Sequence, residues 1–145
     1  NYIEPDELVN LIEVFWKEKD RFIDGYVQKN PLNLTYRNLN IIKDFKYGMR
    51  KNFLLAVYEK NYTVLNDEGI NYMVKGLNEN LDKFIPAEKT PMLIQTAIMP
   101  FNGMIIYDGF ISTADMQLSQ KLVSKAFEDY SYGQKIYSLL PKNMN

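Results

Sequence analysis

Asn102-Gly103 stands between two apolar runs, Met92 to Phe101 and Met104 to Ile111. Both residues reach positive φ angles at low cost, so a dipeptide of this type between strand-like runs specifies a two-residue type I′ hairpin. This is the strongest local signal in the chain, and it commits the region to antiparallel sheet. Pro100 has no amide hydrogen, which places it beside the turn at an edge or a bulge, with the hairpin partly unpaired there.

More sheet is expected upstream. Phe53 to Glu59, Tyr62 to Asn66 and Ile70 to Lys75 are short runs rich in Val, Ile, Leu and Tyr. Lys60-Asn61 and Asp67-Glu68-Gly69 separate them, the pattern of a three-stranded meander. Between meander and hairpin, Asn78 is expected to cap a helical turn carrying Leu81, Phe84 and Ile85, which Pro86 stops.

Both ends of the chain read as helix. From Pro5 to about Lys29, Leu8, Leu11, Ile12, Phe15, Trp16, Phe22, Ile23 and Tyr26 recur at three-to-four spacing, which predicts one long amphipathic helix ended by Asn30-Pro31. Thr35 caps a second helix, with Leu34 and Leu39 as a hydrophobic staple. Tyr36, Leu39, Ile42, Phe45 and Met49 form its apolar stripe, and Lys43, Lys46 and Arg50 its basic face. Leu118 to Tyr130 predicts a third long helix ending near Gly133, and Ile136 to Leu140 either a short strand or a helix.

The chain has 145 residues, 46% hydrophobic and 24% charged, which fits one ordinary core and excludes a disordered or low-complexity chain. The expected fold is α+β: two N-terminal helices, a small antiparallel sheet or partly closed five-stranded barrel, and a C-terminal helix packed against it. Residues 1–145 are taken as one domain, with a helical part over 1–50 and the sheet plus C-terminal helix over 51–145.

Composition narrows the chemistry. There is no Cys and no His, which removes thiol nucleophiles, disulfides, Cys-ligated metals, the commonest general base and the middle member of the usual triad. Net charge is −1, so no global field draws the chain to phosphate backbones or anionic membranes. No apolar run reaches the roughly 18 residues of a membrane span, and the N-terminus is acidic and amphipathic rather than signal-like. A soluble, cytoplasmic protein is expected. The chain begins at Asn1 rather than Met, leaving room for a processed or upstream segment, and the cytoplasmic placement carries that condition. Gly-rich phosphate loops, nucleophile elbows, calcium loops and dinucleotide fingerprints are absent, so no cofactor is expected.

The run Pro100-Phe101-Asn102-Gly103-Met104-Ile105-Ile106-Tyr107-Asp108-Gly109 resembles a segment of uncharacterised bacterial proteins that often carry a C-terminal SEC-C zinc-binding motif. Asn30 to Leu34 is similar to that family's Asn-Pro-x-Asn-Leu segment, Phe53 to Leu77 to its aromatic-rich meander, and Tyr132-Gly133 with Ser138 to Pro141 to its closing segments. The likeness spans roughly residues 22 to 141 and brings no established activity. The SEC-C tail implies a partner-binding accessory, but this chain has neither the Cys and His of the motif nor a Gly-rich stretch after Asp108-Gly109, where Ser112 to Gln120 stand instead. Zinc is not carried over.

Four sets of residues are candidates for function. Asp108, between Tyr107 and Gly109, either accepts backbone amides at a turn or serves as a catalytic acid or metal ligand. The catalytic reading wants a second carboxylate, and the nearest, Asp115, lies across a turn. Lys43, Lys46, Arg50 and Lys51, with Tyr36 and Tyr47 nearby, are either phosphate contacts with stacking rings or a solvated helix face. Tyr58, Tyr62, Tyr72 and Tyr107 come from strands that can share one exposed aromatic face, or are simply the tyrosines that strands favour. Trp16 is a core residue of the first helix or an interface anchor.

The reading ranked first is a non-catalytic protein-interaction module with an unidentified protein partner. A nucleic-acid-binding accessory using the local basic face comes second, and an enzyme using Asp108 without His or Cys third.

Overall fold

The computed structural model describes residues 4–76, 80–113 and 118–141. Helices lie at both ends of a mixed sheet, the α+β arrangement read from the sequence.

Pro5 opens α1 (Pro5–Lys17), but the long helix expected over 5–29 is two helices. Glu18 leaves helical geometry at φ −118° and ψ 29°, although its N–H still donates to Val14 O at 3.1 Å, and α2 (Lys19–Lys29) follows at once. The apolar period runs on through this bend, so periodicity could not mark it. Tertiary contact does: α2 packs on α3 (Tyr36–Asp44) and on the 3-10 turn after it, where Lys19 Nζ donates to Lys46 O at 2.6 Å. Asn30 closes α2 in the left-handed region at φ 44°, and its side chain clamps both backbone polar groups of Leu34. Thr35 caps α3 as expected, accepting from the Asn38 N–H at 3.3 Å.

The second helix ends sooner than its spacing suggests. A 3-10 turn, Phe45–Tyr47, and Gly48 lead into β1 (Met49–Glu59). Met49 and Arg50, assigned to helix faces by period, are therefore strand residues, as is Lys51. Gly48 is the reason: a Cβ there would lie 2.8 Å from Ile98 O, so only glycine lets the chain pass this close to the neighbouring strand.

Next come β2 (Tyr62–Asp67) and β3 (Ile70–Lys75), joined by Glu68 and Gly69, both at positive φ. β4 (Met92–Phe101) and β5 (Met104–Tyr107) flank the Asn102-Gly103 turn, at φ 49° and 76°. Pro100 stands opposite Ile105 inside this ladder, and β4 has no β1 partner beyond Ile98, so the proline occupies a one-sided stretch. Asn78 and Asp115 lie outside the described residues. The turn Leu81–Lys83 starts from Asn80, whose side chain accepts from the Gly76 N–H at 3.4 Å.

Five strands close into a ring in the order β1-β2-β3-β5-β4 and back to β1. β1 serves both neighbours by bending at an irregularity between Leu55 and Val57, its first half pairing β4 and its second half β2. The expected purely antiparallel sheet is corrected, because β3 runs parallel to β5 through Val74↔Ile105 and Lys75↔Ile106. β4 pairs antiparallel to β1 and β5 antiparallel to β4, and these two pairings set that direction. β6 (Ser112–Thr113) adds to β4. β7 (Gln134–Ile136) runs parallel to the first half of β3, a strand placed two residues earlier than the Ile136–Leu140 run suggested.

Alternation along the strands divides the core. Phe53, Leu55, Leu65, Tyr72, Val74, Ile94, Ile98 and Ile105 form one cluster, closed by Leu81 and Ile85 from the long connection. Ala56, Val64 and Met73 face the other way, with Val57, Tyr62 and Tyr130 packed on them. Tyr130 belongs to α4 (Gln120–Tyr132), capped by Ser119. Buried Asn71 fastens this helix: it accepts from Asn66 at 2.8 Å and donates toward the carbonyls of Asp129, Tyr130 and Gly133 at 3.2–3.3 Å. No helix among the described residues is long and apolar enough to cross a membrane.

Candidate functional site

The tyrosines do not share an exposed face. Tyr72 is 8% exposed and meets Phe53 edge-on at 5.9 Å, inside the main cluster. Tyr58 and Tyr107 pack against that same cluster, while Tyr62 lies with the opposite one, against Tyr137. The Tyr58 hydroxyl donates to Ile85 O at 2.7 Å, and burial pushes its pKa up to about 12. These rings hold the long connection and the sheet together.

Asp108 closes a turn. Its N–H donates to Ala97 O at 3.1 Å, and its Oδ1 accepts from the Phe110 N–H at 3.0 Å, with Thr96 Oγ1 at 3.5 Å. Gly109 between them sits at φ 86°, a conformation an L side chain rarely adopts. Burial raises the Asp108 pKa, opposed by the Phe110 amide and the Arg50 charge. Among the described residues, the groove that Asp108 borders carries no second carboxylate and no lysine. Among the described residues no three Asp or Glu side chains gather in a metal-holding arrangement.

The basic residues are spread over three elements. Lys43 is exposed on α3, and Lys46 pairs with Asp24 at 2.9 Å from the 3-10 turn. Arg50 and Lys51, adjacent on β1, point to opposite sides of the sheet. Lys51 pairs with Asp67 at 2.6 Å. The Arg50 side chain is 5% exposed, donates to Phe110 O at 3.0 Å, and holds its Nε 3.8 Å from Glu13.

Trp16 leads to a surface that the sequence reading passed over. It meets Phe15 edge-on at 5.4 Å, and both line a groove of about 310 Å³ between α1 and the β5–β6 connection. Leu11 and Ile12 form the rest of its helical wall, with Phe45, Met99 and Phe110 opposite. Beyond the groove the helix is apolar outward as well: Leu11 is 56% exposed, Val14 48%, Val9 46%, and Leu8, Phe15, Phe22 and Phe110 are also exposed. None of the α1 side chains described is buried. A second recess of about 510 Å³ on the helix's other flank is lined by Glu13, Lys17, Lys19, Arg50 and Gln95.

The signal for this surface was present in the sequence. Apolar residues on α1 occupy an arc wider than one buried face requires, running from Val9 through Ile12 and Phe15 to Val14. Phe110 had no sequence signal, because its position opposite α1 depends on the turn that Asp108 caps. No family model, curated protein or solved structure matches this chain.

Proposed function

We propose that this chain is a non-catalytic protein-interaction module, and that its contact surface is the outer face of α1 with the adjoining groove and Trp16. The observation that carries this reading is the exposure of Leu8, Val9, Leu11, Val14 and Phe15 on α1, with Phe22 on α2 and Phe110 across the groove. Contiguous apolar surface of this kind marks docking sites, and aromatic anchors beside a groove are the usual centres of binding energy. The turn-capping role of Asp108 and the absence of Cys and His support the non-catalytic part.

The test is affinity capture on nuclease-treated extract, comparing wild type with Leu11→Arg and with Lys43→Glu. Leu11 is exposed, so Leu11→Arg keeps its circular dichroism spectrum and loses the captured partner, while Lys43→Glu retains it. Capture that survives Leu11→Arg, or that disappears with nuclease and with Lys43→Glu, overturns the assignment in favour of another surface or of nucleic acid.

A further inference from the structure

We infer that the partner of this surface is a second copy of the same chain, with α1 lying antiparallel to α1 about a two-fold axis near Leu11 to Val14. This inference rests on the interaction reading above and supplies its partner.

Two independent features of α1 point to it. The first is spacing. Leu8, Leu11 and Phe15 follow one another at three and four residues, and Phe22 on α2 falls seven beyond Phe15, the step of a helix-pairing seam. All four are exposed, and they run beside a second seam of Ile12, Trp16 and Ile23 that turns toward the body of the molecule. One seam packs α1 and α2 at home and the other is left over. Around an axis near residue 13, Leu11 of one copy meets Phe15 of the other, and Val14, 48% exposed, meets its own counterpart. A self-complementary patch of this kind is what a two-fold interface requires.

The second feature is charge. The exposed carboxylates at the start of α1, Glu4 and Glu7, form no ion pair among the described residues, and neither does Lys17 at its end. Arg21, one turn on, has a side chain 70% exposed, lies over the Phe22 ring and pairs with Glu18. The other nearby charges are engaged elsewhere: Glu13 lies toward Arg50, and Lys19 reaches Asp20 and Lys46 O. Antiparallel pairing sets Glu4 and Glu7 beside Arg21 of the other copy, twice by symmetry, whereas parallel pairing sets like against like. A contact made by a single helix face from each copy belongs to the weak, transient end of interfaces, so the dimer is concentration-dependent.

Sedimentation equilibrium on the whole chain between about 1 and 200 µM tests this, on the range where interfaces below standard size exchange. Wild type is expected to pass from monomer to dimer over that range, and Leu11→Arg to stay monomeric with an unchanged circular dichroism spectrum. Two charge variants make the pairing specific. The Glu4→Lys, Glu7→Lys chain and the Arg21→Glu chain are each expected to be monomeric alone and to form a one-to-one heterodimer when mixed, because the mixture restores both sets of opposite charges. Since each partner must be folded to pair, the mixture also guards against a misfolded variant. A wild type that is monomeric at every concentration overturns the inference. So does a dimer that persists in Leu11→Arg and in both charge variants, since it uses another face. A monomeric wild type that still captures a different protein, lost in Leu11→Arg, removes the second copy as partner and leaves the interaction reading standing.

Discussion

The ring of strands and the first helix use similar side chains in opposite ways. In the ring Phe53, Leu55, Leu65, Ile98 and Ile105 are all at or below 1% exposure, each held by neighbours from several strands. On α1 the same residue types, Leu8, Leu11 and Phe15, remain exposed. Hydrophobicity alone therefore does not say where a residue ends. A strand inside a closed ring has two hydrogen-bonded neighbours and one face turned into the enclosed core, so the apolar residues of that face are buried by construction. A terminal helix has one face against the body, and any apolar residue beyond that arc needs a partner from outside.

That contrast is sharpest in stability. Truncating Ile98 or Leu55 to Ala is expected to lower the unfolding free energy by about 2–5 kcal/mol, measured by urea denaturation. Leu11→Ala is expected to change it by less than about 0.5 kcal/mol. A Leu11 variant as damaged as the Ile98 variant would erase the distinction between the two regions.

The ring's hold on the C-terminal helix comes next in size. Asn71→Ala removes the donor facing three carbonyls at the end of α4, at an expected cost of about 1–3 kcal/mol. Faster amide exchange in α4 and β7, with exchange in α1 unchanged, checks that the loss is local.

The alkaline limb separates the regions by titration. The folded-state pKa of Tyr58 lies near 12 against an ordinary 10.0, so its hydroxyl favours folding fully below pH 10 and that contribution is lost as pH rises toward 12. The last-ionising tyrosine in an ultraviolet titration should vanish in Tyr58→Phe, and alkaline unfolding of that variant should lose part of its steepness. The smallest expected effect is at Glu59. Hydrogen bonds from Lys135 and Tyr130 hold its carboxyl below the ordinary 4.5, so its contribution is present above that pH and lost as pH falls through it. The pair is partly exposed, so Glu59→Gln should differ from wild type only slightly near neutral pH and not at all in acid.

Much of the secondary structure was legible because its causes are adjacent in sequence. Thr35, Asn30 and the Asn102-Gly103 pair act on backbone within four residues of themselves, and each appears where it was placed. The helix-to-strand boundary was misplaced by two to three residues because its cause is distant: Gly48 matters only once Ile98 lies against it. The candidate site was legible in part. Trp16 lines the groove; Tyr58 and Tyr72, open between a shared exposed face and ordinary strand tyrosines, pack in and against the core. Whether a strand's alternate residues face inward or outward depends on which strands it joins.

The sequence by itself determined the hairpin turns, the helix caps, the meander and the chemistry withheld by a chain without Cys or His. Only the tertiary structure decided that β1 pairs both β2 and β4, that β3 and β5 run parallel, that Asp108 is drawn into a turn and that α1 is left with an uncovered face. The physical reason is one of range. Dihedral preference and capping are properties of neighbouring residues, whereas ring closure and burial are sums over contacts between segments tens of residues apart.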